Sequence, residues 1–137
     1  MTYNIKITTE QIDLASIPCF LNQNTGATVI FLGTIRKINK SKKVQQVLYV
    51  IFNDLFKSIF KKKCLQLLHE KKNIRIYIIQ ASGLLIVGNI NSLIAVAAVN
   101  RQDAFYICRD LVETLKYNAP VWKKEFYLDG SFSWLNV

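Results

Sequence analysis

The chain reads as an α+β protein, a sandwich of sheet and helices, and three features predict that class. Two long runs place apolar residues at helical spacing, 52–68 and the stretch opening at Asn100. Between and after them lie short apolar, β-branched runs of strand length. Pro18, Gly83, Gly88 and Pro120 punctuate these runs, so the elements are separated by turns. The predicted order is α-β-β-α-β-β-α-β, in one domain spanning residues 1–137.

Taken in order, the first element is a short amphipathic helix at 8–16, with Thr8 or Thr9 as cap and Pro18 as stop. "GATVIFLGTI" (26–35) is a buried strand, "RKINKSKK" (36–43) a basic loop, and "VQQVLYVIF" (44–52) a second strand. In 52–68 the expected buried stripe is Phe52, Leu55, Phe56, Ile59, Phe60, Cys64, Leu67 and Leu68, with Lys57, Lys61 and Lys62 on the solvent side. "IRIYIIQA" (74–81) is a strand, Gly83 and Gly88 mark a turn region, and "SLIAVAAV" (92–99) is a further buried strand. In the second helix Ala104, Phe105, Cys108, Leu111, Val112 and Leu115 mark one face; Asn100 caps it and Asp103 complements its dipole. Pro120 stops this helix, and "VWKKEFYL" (121–128) is the last predicted strand.

Composition bounds the function. Hydrophobic residues make up 51% and charged residues 20% of 137, which is enough apolar material for a core without staples. The N-terminus lacks the basic-then-apolar layout of a signal peptide, and "GLLIVGNINSLIAVAAV" is interrupted by Asn89, Asn91 and Ser92, so no membrane role and a cytoplasmic location are expected. Cys19, Cys64 and Cys108 form no CxxC pair, and Cys64 and Cys108 sit at apolar helical positions as small buried hydrophobes. A single histidine, His69, builds neither a His-based metal site nor a triad. The net charge of +9 suits an anionic partner, but fourteen of the eighteen basic residues are lysines in a chain also rich in Ile and Asn, a mix that AT-rich coding also yields.

The chemistry concentrates in "LKYNAPVWKKEF" (115–126). Lys116 falls in the last helical turn, where a cation suits the dipole. Lys123 and Lys124 are adjacent on a strand and face opposite sides. Trp122 and Phe126 share the face of Lys124, which predicts that face as the core side and frees Lys123 to share a pocket with Lys116. Spacing alone leaves a solvated helix end as the competing reading.

"FLGTIR", "AVAAVNRQDAF" and "LKYNAPVWKKE" together resemble the catalytic large subunit of molybdopterin synthase, whose members carry a G-T-x-R turn, an H-R-x-x-A-F helix start and an L-K-x-x-x-P-x-W-K-[KR]-E hinge in that order. The resemblance runs from Gly26 to Trp134. It implies an α/β hammerhead-type fold and a homodimer within a heterotetramer, each protomer binding a small ubiquitin-like sulfur-carrier subunit. The carrier's C-terminal Gly-Gly thiocarboxylate would deliver sulfur twice to cyclic pyranopterin monophosphate, forming the molybdopterin dithiolene with no metal or dissociable cofactor. By the same resemblance Lys116 lies against the thiocarboxylate carbonyl, Lys123 holds the pterin or the tail, and Arg36 and Arg101 offer forked donors to phosphate, Arg101 from the second protomer. Asn100 stands where the family has histidine, and would bind substrate as a neutral donor. Val50-Ile51-Phe52 replaces a Glu-x-Tyr element, and Tyr106 replaces a glutamate. These departures keep a catalytically weakened partner-binding homologue as an alternative; a basic nucleic-acid-binding domain using the lysines of 36–43 and 57–63 is a third, without a recognised motif.

Overall fold

A computed structural model describes residues 2–17 and 22–136. Two sheets and two helices make up the fold. The first sheet has strand order β1-β5-β7-β2, where β1 is Tyr3–Thr8, β2 Ala27–Thr34, β5 Arg75–Ala81 and β7 Ile90–Ala98. β1 runs parallel to β5, and the other pairs are antiparallel. The second sheet has the order β3-β4-β8-β9, with β6 also paired to β4. Here β3 is Ile38–Asn39, β4 Lys42–Ile51, β6 Gly83–Ile86, β8 Val121–Tyr127 and β9 Phe132–Asn136.

Helix α1 (Asn53–Glu70) buries Phe56, Phe60, Cys64 and Leu67, and helix α2 (Arg101–Tyr117) buries Ala104, Ile107, Cys108, Leu111, Thr114 and Leu115. Apart from Ala104 and Thr114, these side chains meet Ile76, Ile78, Ile94 and Val96 of the first sheet and Val47, Tyr49 and Val121 of the second in one core. Tyr77, Ile79, Leu93 and Ala95 pack in a second cluster with Ile12. β5 and β7 are therefore covered on both faces. This explains why their sequences run continuously apolar and do not alternate. Burial pushes the Cys64 thiol up to about 12 and the Cys108 thiol up to about 11, so neither supplies a thiolate near neutral pH. Cys19 lies outside the described residues.

Five expectations need correction. The predicted helix at 8–16 is absent: the segment leaves β1, and only Leu14–Ser16 forms a 3-10 turn. β1 itself was legible in Tyr3, Ile5 and Ile7, which alternate with the exposed Asn4 and Lys6. The loop at 36–43 is a hairpin whose Lys40 and Ser41 both have positive φ, the conformation that closes a two-residue turn. The turn region at Gly83 carries β6, and β9 follows the last predicted strand. Phe52, Leu55 and Phe105 are exposed, at 55%, 53% and 62%, whereas Ile107 takes the core place expected for Phe105.

The fifth correction concerns the facing of β8. Val121, Glu125 and Tyr127 are buried, so Lys123 lies on the inner face and Trp122, Lys124 and Phe126 lie on the outer one. The strand partner decides this: Lys123 is in register with buried Tyr49, and Lys124 with Leu48 and Trp134. On the outer face Lys124 Nζ sits 4.1 Å from the Phe132 ring centroid and 5.6 Å from that of Trp134. Phe126, at 5.0 Å, joins Phe132 and Trp134 around this ammonium group instead of filling the core, and Trp122 stands against Phe52.

Candidate active site

β8 and the hairpin of β3 and β4 build the site. Antiparallel pairing sets Tyr49 beside Lys123 and Val47 beside Glu125 on the inner face of the second sheet. The chain leaves β2 through Thr34 and Ile35, and Arg36 opens the hairpin above this face. Thr34, Arg36, Asn39, Tyr49, Asn91, Lys123 and Glu125 line one cavity of about 50 Å³, room for one small polar group.

The electrostatics of this cavity follow from its few charges. Burial holds the Lys123 ammonium below the usual lysine range; Glu125 opposes this, and the positive charges of Arg36 and Lys116 add to it. Glu125 is 4% exposed and accepts hydrogen bonds from Asn39 Nδ2 at 2.8 Å and from the Tyr127 hydroxyl at 2.9 Å. Burial pushes the Tyr49 phenol up to about 12, the Glu125 charge adds to this, and a hydrogen bond with the Asn91 side chain opposes it. Tyr49 is thus neutral at physiological pH and serves as a hydrogen-bonding group. An anion entering here meets two cations and a neutral phenol, with one carboxylate already occupied by two donors.

Gly33 is required by close approach. A Cβ there would lie 2.5 Å from Asn91 Oδ1 and 2.6 Å from Ser92 Oγ. The glycine of the G-T-x-R turn therefore makes room for the asparagine that lines the cavity.

The five candidate residues divide into two groups. Arg36 and Lys123 share the cavity, and Lys116, exposed in the last turn of α2, acts on Lys123 through its charge. Asn100 and Arg101 sit at the other end of α2, about 22 Å away along the axis at 1.5 Å per residue. Asn100 is exposed there as the helix cap, its Oδ1 accepting from the Asp103 amide at 2.9 Å. One protomer does not bring Arg101 to Lys116. Val50 and Phe52, which replace the Glu-x-Tyr element, are exposed, and Phe52 stands edge-on to Trp122 at 5.0 Å.

Asn39, Tyr49, Asn91 and Glu125 were missing from the sequence-derived set. For Glu125 a signal existed: two-residue alternation along β8 groups Val121, Lys123, Glu125 and Tyr127 on one face. For Asn91, on a strand distant in sequence, there was none. Among the described residues no group of three or more His, Cys, Asp or Glu side chains could hold a metal ion.

Comparison with known proteins gives a consistent result. The family model described as "MoaE protein" matches residues 7–118. The molybdopterin synthase catalytic subunit of Synechococcus elongatus is 30% identical over 135 residues, covering 97% of this chain and 82% of that protein. The corresponding subunit of Nostoc is 33% identical over 113 residues, covering 82% and 68%. Among solved structures, molybdopterin synthase from Staphylococcus aureus superposes with a TM-score of 0.87 at 26% identity, covering 96% of both chains. A Helicobacter pylori chain, solved in the complex of subunits 1 and 2 of molybdopterin-converting factor, shares the fold, with a TM-score of 0.76 at 23% identity over 91% of this chain and 86% of that one.

Proposed function

This chain belongs to the MoaE family of molybdopterin synthase catalytic subunits, and from that premise we infer how it carries out sulfur transfer in molybdenum cofactor biosynthesis. Its substrate is cyclic pyranopterin monophosphate, and its sulfur donor is the C-terminal thiocarboxylate of a small ubiquitin-like carrier. The observation that carries the reading is the cavity shared by Arg36 and Lys123, with Lys116 close enough to depress the Lys123 ammonium. Donor tail and substrate phosphate are both anions. A half-buried Lys123 with Arg36 beside it holds anions in a way that an exposed lysine face does not.

Roles follow from position. Arg36, with its planar fork, binds the phosphate. Lys123 contacts the tail or the pterin. Lys116, exposed at the helix end, stabilises charge developing on the acyl oxygen as sulfur leaves. Arg101 and Asn100 serve the site of a second protomer, because the length of α2 keeps them from their own.

The second sheet supports the partner assignment. Its outer face carries two cross-strand rows, Leu84-Leu48-Lys124-Trp134 and Ile86-Gln46-Phe126-Phe132, in which Leu84, Ile86, Phe132 and Trp134 are exposed. Large exposed apolar side chains gathered on one sheet face suit a protein contact. No helix among the described residues is long and apolar enough to cross a membrane, and the cytoplasm is the proposed location.

The test is binding of the carrier. A carrier ending in Gly-Gly should bind wild-type protein in calorimetry, and deleting its last two residues should weaken binding by about tenfold or more. Equal affinity for the full and truncated carrier would contradict insertion of the tail into the site.

A further inference from the structure

The hairpin that carries Arg36 is short. β3 contributes only Ile38 and Asn39, paired with Lys43 and Lys42, and the turn places Lys40 and Ser41 at positive φ. Two paired residues give a hairpin little stability of its own. Something outside it must hold Arg36 in place, since an exposed arginine otherwise samples many rotamers.

Asn39 makes two contacts of opposite sense. Its Nδ2 donates to Glu125 Oε1 at 2.8 Å, and its Oδ1 accepts from Arg36 Nη2 at 3.4 Å. Only a side chain offering both a donor and an acceptor fits between a carboxylate and a guanidinium, and a primary amide does so with a single planar group. Glu125 is in turn fixed by the Tyr127 hydroxyl and by its burial on β8, two residues from Lys123. Arg36, Asn39, Lys123 and Glu125 line the same cavity. We propose that Asn39 is a positioning residue for the transfer reaction, tying the hairpin to β8 and holding the Arg36 guanidinium at the mouth of the Lys123 cavity. The proposal rests on Arg36 being the phosphate-binding group of the function inferred above.

The arrangement carries a specific chemical consequence. Aspartate has the shape of asparagine and keeps an acceptor for Arg36, but it sets a second carboxylate against Glu125. Asn39→Asp should therefore open the tie without creating a cavity, while Asn39→Ala removes both contacts.

A double-mutant cycle with a structural readout tests this. Binding of cyclic pyranopterin monophosphate is measured by calorimetry for wild type, Asn39→Ala, Asn39→Asp, Arg36→Ala and the Asn39→Ala/Arg36→Ala pair. In parallel, nitrogen-15 relaxation at Arg36 Nε reports the order of the guanidinium without any ligand. Both Asn39 variants should weaken binding by about five- to tenfold, because the residue acts through the geometry of the binding groups. In the Arg36→Ala background Asn39→Ala should add nothing, and Arg36 Nε should become more mobile in the Asn39→Ala variant, which lacks the acceptor. An additive effect in the double variant, or unchanged relaxation at Arg36 in Asn39→Ala, would overturn the proposal. If the wild type binds no pterin at all, the functional reading fails by itself, and the relaxation measurement still decides the tie.

Discussion

Lys123 is the residue whose environment does most for the site. Its ammonium lies below its ordinary value of 10.5 because burial disfavours the charged form and two cations stand near it, against one carboxylate. Unfolding returns the ordinary value, so the unfolded chain binds more protons between the two values, and stability rises with pH across that window. Anion binding behaves oppositely, since it needs the charged form. The alkaline limb of the activity profile should therefore fall at lower pH than an unperturbed lysine would give. Glu125→Gln removes the one group that raises the Lys123 value, so that limb should move to still lower pH. Arg36→Ala removes a like charge and should move it up, even as substrate affinity drops. A pH series of steady-state kinetics checks both signs, and shifts in the same direction would contradict the assignment. Lys116 is simpler. It is exposed, its Nζ 5.5 Å from the Tyr117 ring centroid, and a helix-end lysine contributes at most about 1 kcal/mol to stability. Lys116→Ala should leave the melting temperature nearly unchanged and lower the transfer rate roughly 100-fold or more. The same substitution at Lys61, exposed on α1, should do neither.

At the scale of elements, the helices and the buried strands were readable because their periodicity reports burial directly. Errors arose where periodicity was short or where burial was one-sided. In β8 the two large aromatic residues suggested the core side, yet the sheet's outer face holds them, Phe126 beside Lys124 and Trp122 against Phe52, and its inner face takes Lys123. The hairpin was hidden because Lys40-Ser41 lacks the glycine that such turns favour. That omission is testable: Ser41 adopts φ 68, and Ser41→Gly should stabilise the protein by about 1 kcal/mol by removing the left-handed penalty. Denaturant unfolding would show it as a raised midpoint at unchanged slope. Asn100 separates in the same way into two roles. Asn100→Ala should cost about 1 kcal/mol through loss of the cap. Asn100→Asp keeps the cap but adds a negative charge, so it should spare stability and raise the Michaelis constant for the pterin. An unchanged constant would leave Asn100 as a cap alone. Lys116 and Lys123 are legible from the helix end and strand alternation, with a solvated helix end as the rival reading, whereas Arg36, Asn100 and Arg101 stand out only through the resemblance. The neutral groups beside them, Asn39 and Tyr49, come from register between strands, which no local pattern encodes, whereas alternation along β8 already set Glu125 on the face of Lys123.

At the scale of the molecule, the separation of Arg101 from Lys116 by the length of α2 demands a second protomer if both serve one reaction. Mixing inactive Arg101→Ala and Lys116→Ala proteins should then restore about a quarter of wild-type activity, since half of the dimers are mixed and each of those holds one intact site. Absence of recovery under conditions where protomers exchange would place both residues in one protomer's site or remove Arg101 from it. The central claim is that this chain transfers sulfur although Val50, Phe52 and Asn100 stand where family members carry other polar groups. The most direct measurement incubates the purified protein with thiocarboxylated carrier and cyclic pyranopterin monophosphate and quantifies dithiolene product. Product should form in the presence of wild-type protein and about 100-fold more slowly with Lys116→Ala. Binding of the carrier without any dithiolene above the protein-free control would contradict it.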